Sequence, residues 1–411
     1  MNIIKHIGIA CIFTVFSQFV VAQTCEQHKR TYPFLRCERN QIDHRGRSME
    51  MFASFYEKLL KLQLQGTGRL NILHFGDSHI QADQLPNRMR ELLRGEHTSW
   101  SEGDRGLIFP FTVARMNNPH SYRVDYSGQW SSVRSTLSNG STDFGLTGMS
   151  ISTNDPSAVL RISQPQTGYA TSPFTRIRVF HSVGENVPKI VLTQNNNVIH
   201  QITNKFRGYT LFVLKESMDS LAFGFDFEES AQEISIYGIS LETGKPGSTY
   251  SALGVNGADV KTLLKSNLLE KQLYVLEPSL IILSYGTNDV YTNFDPTEFR
   301  ANYNTLIRRI RTELPNVPIL LTTPGDALRN RTQPIRELLQ VIRIIYEVAR
   351  TNDCAVWNFY DVMGGRGSIH YWFDAGLANS DRLHFVRRGY ELQADLLFEA
   401  LILNYLNTIK N

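Results

Sequence analysis

Hydrophobic positions along this chain follow two different rhythms. Over 48–64, Met51, Phe55, Leu59 and Leu62 recur at helical spacing, and Leu70-Asn-Ile-Leu-His-Phe75 then forms a short apolar run. A second helical stretch is predicted over 81–94. From 246 to the end the same alternation returns. Ser279-Leu-Ile-Ile-Leu-Ser284 predicts a buried strand, and Asp295-Pro296-Thr297-Glu298 is a capping signature opening a helix to about 312. A strand is predicted over 318–323. Thr332 is the expected cap of a helix carrying Ile335, Leu338, Ile342, Ile345 and Ala349 on one face. The last strand is expected over 355–360. The closing helix has Tyr390, Ala394, Leu397 and Leu401 in register. Unbroken apolar strands separated by amphipathic helices predict a parallel sheet covered on both faces.

Between 119 and 245 the period drops to two. Arg176-Ile-Arg-Val179 alternates, as does Leu221-Ala-Phe-Gly-Phe-Asp-Phe227. Asn195-Asn-Asn197 lies between Ile190-Val-Leu192 and Val198-Ile199 and reads as a hairpin turn. Gly238, between Ile234-Ser-Ile236 and Ile239-Ser-Leu241, reads as a bulge. The expectation is an α/β fold interrupted by an all-β sandwich or jelly roll. Its parts are a leader (1–22), an N-terminal segment (23–46), a first α/β part (47–118), the β insert (119–245) and a second α/β part (246–411).

The leader is inferred from Lys5 and His6, an apolar run over 7–21, and Val20-Val21-Ala22 at its end, the pattern of a secretory signal peptide. Ser17 and Gln18 interrupt the run, which is shorter than the roughly 20 residues that span a bilayer. Export is therefore expected, with no stable membrane anchor after cleavage. In that oxidising setting Cys25 and Cys37 are either a small disulfide or two free thiols, while Cys354 reads as a core cysteine. No cysteine–histidine spacing suits a zinc site. The 42 Lys and Arg against 39 Asp and Glu give a net charge of +3, which offers nothing for nucleic acid.

Candidate chemistry gathers where strands give way to helices. Gly76-Asp77-Ser78-His79 follows the first strand, so Ser78 sits at a sheet's carboxyl edge, where ligands collect in open α/β folds. A serine there either caps a helix or offers a nucleophile whose own N–H faces a developing oxyanion. Tyr285-Gly286-Thr287-Asn288-Asp289 follows the strand 279–284, and Asn288 is either a turn residue or an amide donor. Gly257, in Leu253-Gly-Val-Asn-Gly-Ala258, allows close approach of a ligand oxygen to backbone N–H; Gly254 is the alternative in this block. In Asp381-Arg-Leu-His384, the carboxylate can fold back to orient the imidazole. His370 and Asp374 have the spacing of a metal pair but lack an evident third ligand. Tyr122, Tyr126 and Trp130 are sugar-stacking candidates or core aromatics, and Arg387-Arg388 is a solvated helix start.

Together, Gly76-Asp77-Ser78, Gly257, Gly286-x-Asn288-Asp289 and Asp381-x-x-His384 resemble the four ordered blocks of the SGNH (GDSL-type) hydrolases. The resemblance covers the whole α/β part. It implies a three-layer α/β/α fold, no metal or other cofactor, Ser78 as nucleophile, His384 as general base and Asp381 as its partner. The oxyanion hole would be the N–H groups of Ser78 and Gly257 with the Asn288 amide. The position after the serine, usually Leu in that family, is His79. Gly-Asp-Ser-His with a β insert between the first two blocks resembles the peptidoglycan O-acetylesterase branch, whose insert is carbohydrate-binding-module-like. Asp77 is then a candidate substrate-facing residue, and His79 a structural or substrate-facing one rather than the base, since no acid is placed to orient it.

The expectation is an exported, most simply periplasmic, serine esterase that removes O-acetyl groups from a glycan such as peptidoglycan. Acetylxylan or lipid esters, transfer of acetyl to a glycan, and sugar binding by a vestigial hydrolase remain as alternatives.

Overall fold

The computed structural model describes residues 23–410, apart from 95–102, 138–142, 166–167, 170–172, 194–196, 229–231 and 292–293. The predicted leader and Asn195 and Asn196 of the expected turn lie outside the described residues.

A six-stranded sheet forms the frame. Across it the strands run Ile42–His44, Ala355–Trp357, Ile319–Thr322, Leu280–Ser284, Arg69–Gly76 and Gly247–Gly254. All pair in parallel except the first, which is antiparallel to its neighbour. Numbered along the chain, the five parallel strands lie in the order 2-1-3-4-5. The direction of winding therefore reverses at Arg69–Gly76, and a crevice opens there beyond the strand ends.

Side-chain alternation explains why the sheet is covered on both sides. Ile281 and Leu283 belong to one apolar cluster, Leu280 and Ile282 to the other. The helices Ser48–Gln65, Gln84–Arg94 and Arg387–Lys410 pack in the second cluster; Pro296–Glu313 and Leu338–Thr351 pack in the first. The result is the three-layer α/β/α arrangement.

The antiparallel stretch makes a seven-stranded and a four-stranded sheet. Both share the first cluster with the parallel sheet: Phe180, Ile236 and Leu160 join the same contiguous core as Phe75 and Leu283. Gly238 is a bulge, at a register shift between Phe180 and His181.

Several expected boundaries move. The helix 81–94 is broken: one turn, Ser78–Gln81, ends before Asp83, whose φ is +57°, and a second helix starts at Gln84. The helix expected from Thr332 begins at Leu338. Gln333–Pro334 pairs instead with Leu328–Arg329, across Asn330 and Arg331 at positive φ. The strand 355–360 stops at Trp357 because Asn358 caps a short helix, accepting from Asp361 N–H. The expected hairpin at 195–197 is not one, since Lys189–Leu192 pairs with Ser220–Asp226 and Val198–Asn204 pairs with Tyr209–Met218. The connection crosses between the two antiparallel sheets.

The structure joins Cys25 to Cys37, and Cys354 is buried. Among the described residues, no helix is long and apolar enough to cross a membrane.

Candidate active site

Register brings the sequence blocks to one level. Gly76 pairs with Gly254 on one side and with Ser284 on the other, so three strands end together at the switch point. Ser78 opens a single helical turn immediately above that edge. Asp77 caps it, its Oδ1 accepting the His79 N–H at 2.9 Å. Gly76 and Gly254 permit this tight turn. A Cβ on Gly254 would lie 2.2 Å from the Gln81 nitrogen and 2.5 Å from the Asp77 carbonyl oxygen. Gly254 thus lets the strand touch the nucleophile turn, while Gly257, at φ +79° and with open space at its Cβ position, borders the cleft.

Ser78 Oγ lies 2.8 Å from His384 Nε2, and His384 Nδ1 lies 2.8 Å from Asp381 Oδ2. Ionised Asp381 can only accept, so Nδ1 carries the proton and Nε2 offers its lone pair to the Ser78 hydroxyl. Partial burial works against the Asp381 carboxylate. Hydrogen bonds from the His384 side chain and the backbone N–H groups of His384 and Leu383 outweigh it and hold the acid below its ordinary value. Arg382, at φ +55°, makes the turn that folds Asp381 back onto His384. The loop is closed by Asn379 N–H to the His384 carbonyl (2.8 Å) and fixed to the hairpin by Leu328 N–H to the Arg382 carbonyl (2.9 Å).

Asn288 ties two blocks together. Its Nδ2 donates to the Ala258 carbonyl at 2.9 Å, and its second N–H has only a long 3.4 Å contact with Asp77 Oδ2. Ser78, Gly257, Asn288 and His384 all border one open cleft of about 590 Å³.

Asp77 and His79, candidates for facing substrate, are not among the residues bordering that cleft. Asp77 is buried because its carboxylate caps the turn. His79 Nδ1 is 3.0 Å from the Tyr390 hydroxyl, and its ring lies 5.1 Å from that of His384. Burial lowers the His79 pKa, so its ring is neutral beside the triad. Tyr122 is a core residue whose hydroxyl donates to the Phe109 carbonyl; Tyr126 is exposed, and Trp130 packs edge-on against Phe225. His370 lies in the helix Ser368–Asp374, with Nδ1 3.3 Å from the Arg382 guanidinium. Arg387 and Arg388 are exposed, as expected.

Sequence reasoning missed Gln81. Its Oε1 accepts the Asn256 N–H at 2.7 Å, clamping the loop that carries Gly257 to the nucleophile turn. A lone Gln in helical text carries no signal of this contact. It also missed the buried chain Tyr250–His74–Ser284–Thr322, with contacts of 2.7, 2.6 and 2.7 Å across four adjacent strands. Burial drives the His74 pKa down to about 3, so that ring is neutral and holds the strand ends beneath Ser78 in register.

A serine, a histidine and an aspartate in relay at the switch point of an α/β/α sheet define a serine hydrolase arrangement. Residues 219–392 match the model of the GDSL-like Lipase/Acylhydrolase family. The matched segment includes Asn288, Asp381 and His384; Ser78 lies before it, separated by most of the antiparallel stretch. Among solved structures, the chain is similar to one described as "Peptidoglycan O-acetylesterase in action, 5 min". The two share 24% identity over 88% of this chain and 98% of that one, with a TM-score of 0.71. A lipase/acylhydrolase from Enterococcus faecalis is 25% identical over 38% of this chain and 75% of its own, with a TM-score of 0.31. An acetyl xylan esterase is 20% identical over 37% and 80%, with a TM-score of 0.30. Comparison with curated proteins by sequence finds no match.

Proposed function

We propose that the protein is an exported esterase that removes O-acetyl groups from peptidoglycan through an acyl-enzyme on Ser78. The observation that carries this reading is the Ser78–His384–Asp381 relay, with both hydrogen bonds at 2.8 Å, bordering an open cleft of about 590 Å³. Peptidoglycan is favoured because the fold matches a peptidoglycan O-acetylesterase over nearly that chain's whole length. The leader pattern and the Cys25–Cys37 pairing favour the periplasm or another extracytoplasmic site.

In this mechanism Ser78 Oγ attacks the acetyl carbonyl while His384 Nε2 takes its proton, and Asp381 stabilises the imidazolium. The N–H groups of Ser78 and Gly257 hold the tetrahedral oxyanion. The loosely held second N–H of Asn288 joins them. Collapse expels the sugar oxygen, which takes the proton from His384. Water then gives a proton to His384 and attacks the acetyl-serine, and the returning proton restores Ser78 as acetate leaves.

The test is covalent labelling with a phosphonate ester, mapped by peptide mass spectrometry, alongside acetate release. The reading predicts a label on Ser78 and no turnover in Ser78→Ala or His384→Ala. Retained turnover in either variant, or a label elsewhere, contradicts it.

A further inference from the structure

The cleft beside Ser78 has one wall that is braced from beneath yet presents polar groups with nothing to bind. This wall is the segment 117–122. Ser121 Oγ donates to Asp83 Oδ2, which also accepts from Arg90 at 2.7 Å and Arg105 at 2.9 Å; all four residues are buried. Asp83 stands five residues after the nucleophile, so this ion cluster ties the wall to the catalytic turn. The Arg105 guanidinium also lies over the Tyr122 ring, 5.2 Å from its centroid. Asn118 Nδ2 closes the loop on itself, donating to the Pro119 carbonyl at 3.0 Å and the Tyr122 carbonyl at 2.6 Å.

Asn117 and His120 differ from their neighbours. Both are exposed, both border the cleft, and neither side chain makes a hydrogen bond among the described residues. Gln84 and Asn256 border the same cleft. Among the described lining residues there is no Asp, Glu, Lys or Arg. Beside the apolar Ala82, Pro119, Leu383 and Phe385, the polar surface around the nucleophile is therefore a rim of amides and imidazole on a rigid support. Such groups both donate and accept, which matches hydroxyl and N-acyl substituents of a sugar. An anionic polymer would find no Lys or Arg among the described residues lining the cleft.

From this we infer that Asn117 and His120, with Gln84 and Asn256 of the same cleft, form a saccharide subsite for an uncharged N-acetylated glycan strand next to the scissile ester. The inference rests on the esterase reading but concerns binding alone. Because the support is already ordered, the rim gains contacts without paying to fix a loop.

Calorimetry on the full-length Ser78→Ala protein tests it without turnover, using tetra-N-acetylchitotetraose as the neutral probe and tetragalacturonate as the anionic one. The neutral probe should bind and the anionic one should not. Adding Asn117→Ala and His120→Ala should weaken the neutral probe by about tenfold or more, the loss of one to two hydrogen bonds. Thermal melting should show the same folded transition, since neither side chain is bonded. Unchanged affinity in the triple variant, equal binding of the anionic probe or no binding of the neutral one overturns the subsite. Failure of the esterase reading would be seen separately, as no acetate release from any ester by the wild-type protein while the neutral probe still binds.

Discussion

Gly254→Ala is the perturbation that most sharply separates a structural from a catalytic role within one sequence block. The new Cβ would stand 2.2 Å from the Gln81 nitrogen, 2.5 Å from the Asp77 carbonyl oxygen and 2.7 Å from the Ile80 carbonyl carbon. All three are backbone atoms of the turn that carries Ser78, so no rotamer change relieves the clash. Ordinary contact begins near 3.4 Å, and the turn must retreat from the strand by about 1 Å. That movement separates Ser78 from Gly257, the two proposed oxyanion donors on either side of the gap. Misplacement on this scale costs on the order of 10²-fold, or about 2.7 kcal/mol of barrier. Overpacking should also lower stability by about 1–3 kcal/mol. The assay is kcat/KM on 4-nitrophenyl acetate together with a thermal melt. Gly257→Ala is the comparison: it meets no atom within 4 Å and suffers only its φ of +79°, a strain of about 1–2 kcal/mol. Near-wild-type kcat/KM in Gly254→Ala would refute the argument that this close approach sets the nucleophile's position.

Three further outcomes are expected. Gln81→Ala frees the Asn256 N–H and should lower kcat on 4-nitrophenyl acetate by about tenfold with KM little changed, while Gln81→Glu, which keeps an acceptor, should recover much of the loss; equal defects in both variants would argue against the clamp. Asp381→Asn replaces an acceptor with a group able to donate toward Nδ1, favouring the tautomer that leaves Nε2 protonated, so kcat should fall by about 10⁴-fold with the melting temperature nearly kept. Burial, then the neighbouring Asp259 carboxylate, push Asp289 up to about 7, above its unfolded value, so folding favours its protonated form. Its stabilising contribution is complete below the ordinary carboxylate range and is lost as pH rises through about 7. The melting temperature of Asp289→Asn should therefore gain on the wild type between pH 5 and about pH 8, and parallel melting curves across that range would contradict the assignment.

The chemistry-bearing residues were more legible in the sequence than the joints between elements. Ser78, Asn288 and His384 lie where strand text gives way to helix text, and the parallel register that aligns Gly76, Gly254 and Ser284 follows from that alternation. Asp83 and Arg382 escaped notice because their positive φ values are stabilised by tertiary partners: the Arg90–Arg105–Ser121 cluster and the hairpin at Leu328. Local text around Thr332 favoured a cap, but pairing of Gln333–Pro334 with Leu328–Arg329 won. The contacts of Asp77 and His79 were not legible for a related reason. Adjacency to Ser78 in sequence suggested the cleft, whereas the Asp77 carboxylate caps the turn and the His79 ring packs beside His384 against Tyr390. Residues 195–197 looked like a hairpin because turn composition does not reveal which sheet the next strand will join.

The most direct measurement of the central claim is acetate release by the wild-type protein from O-acetylated peptidoglycan, run beside acetylated xylan, with Ser78→Ala as the blank. The account predicts release from peptidoglycan, faster than from xylan, and none from the variant. Release from xylan alone would contradict the proposed substrate, and release by Ser78→Ala at the wild-type rate would contradict the mechanism itself.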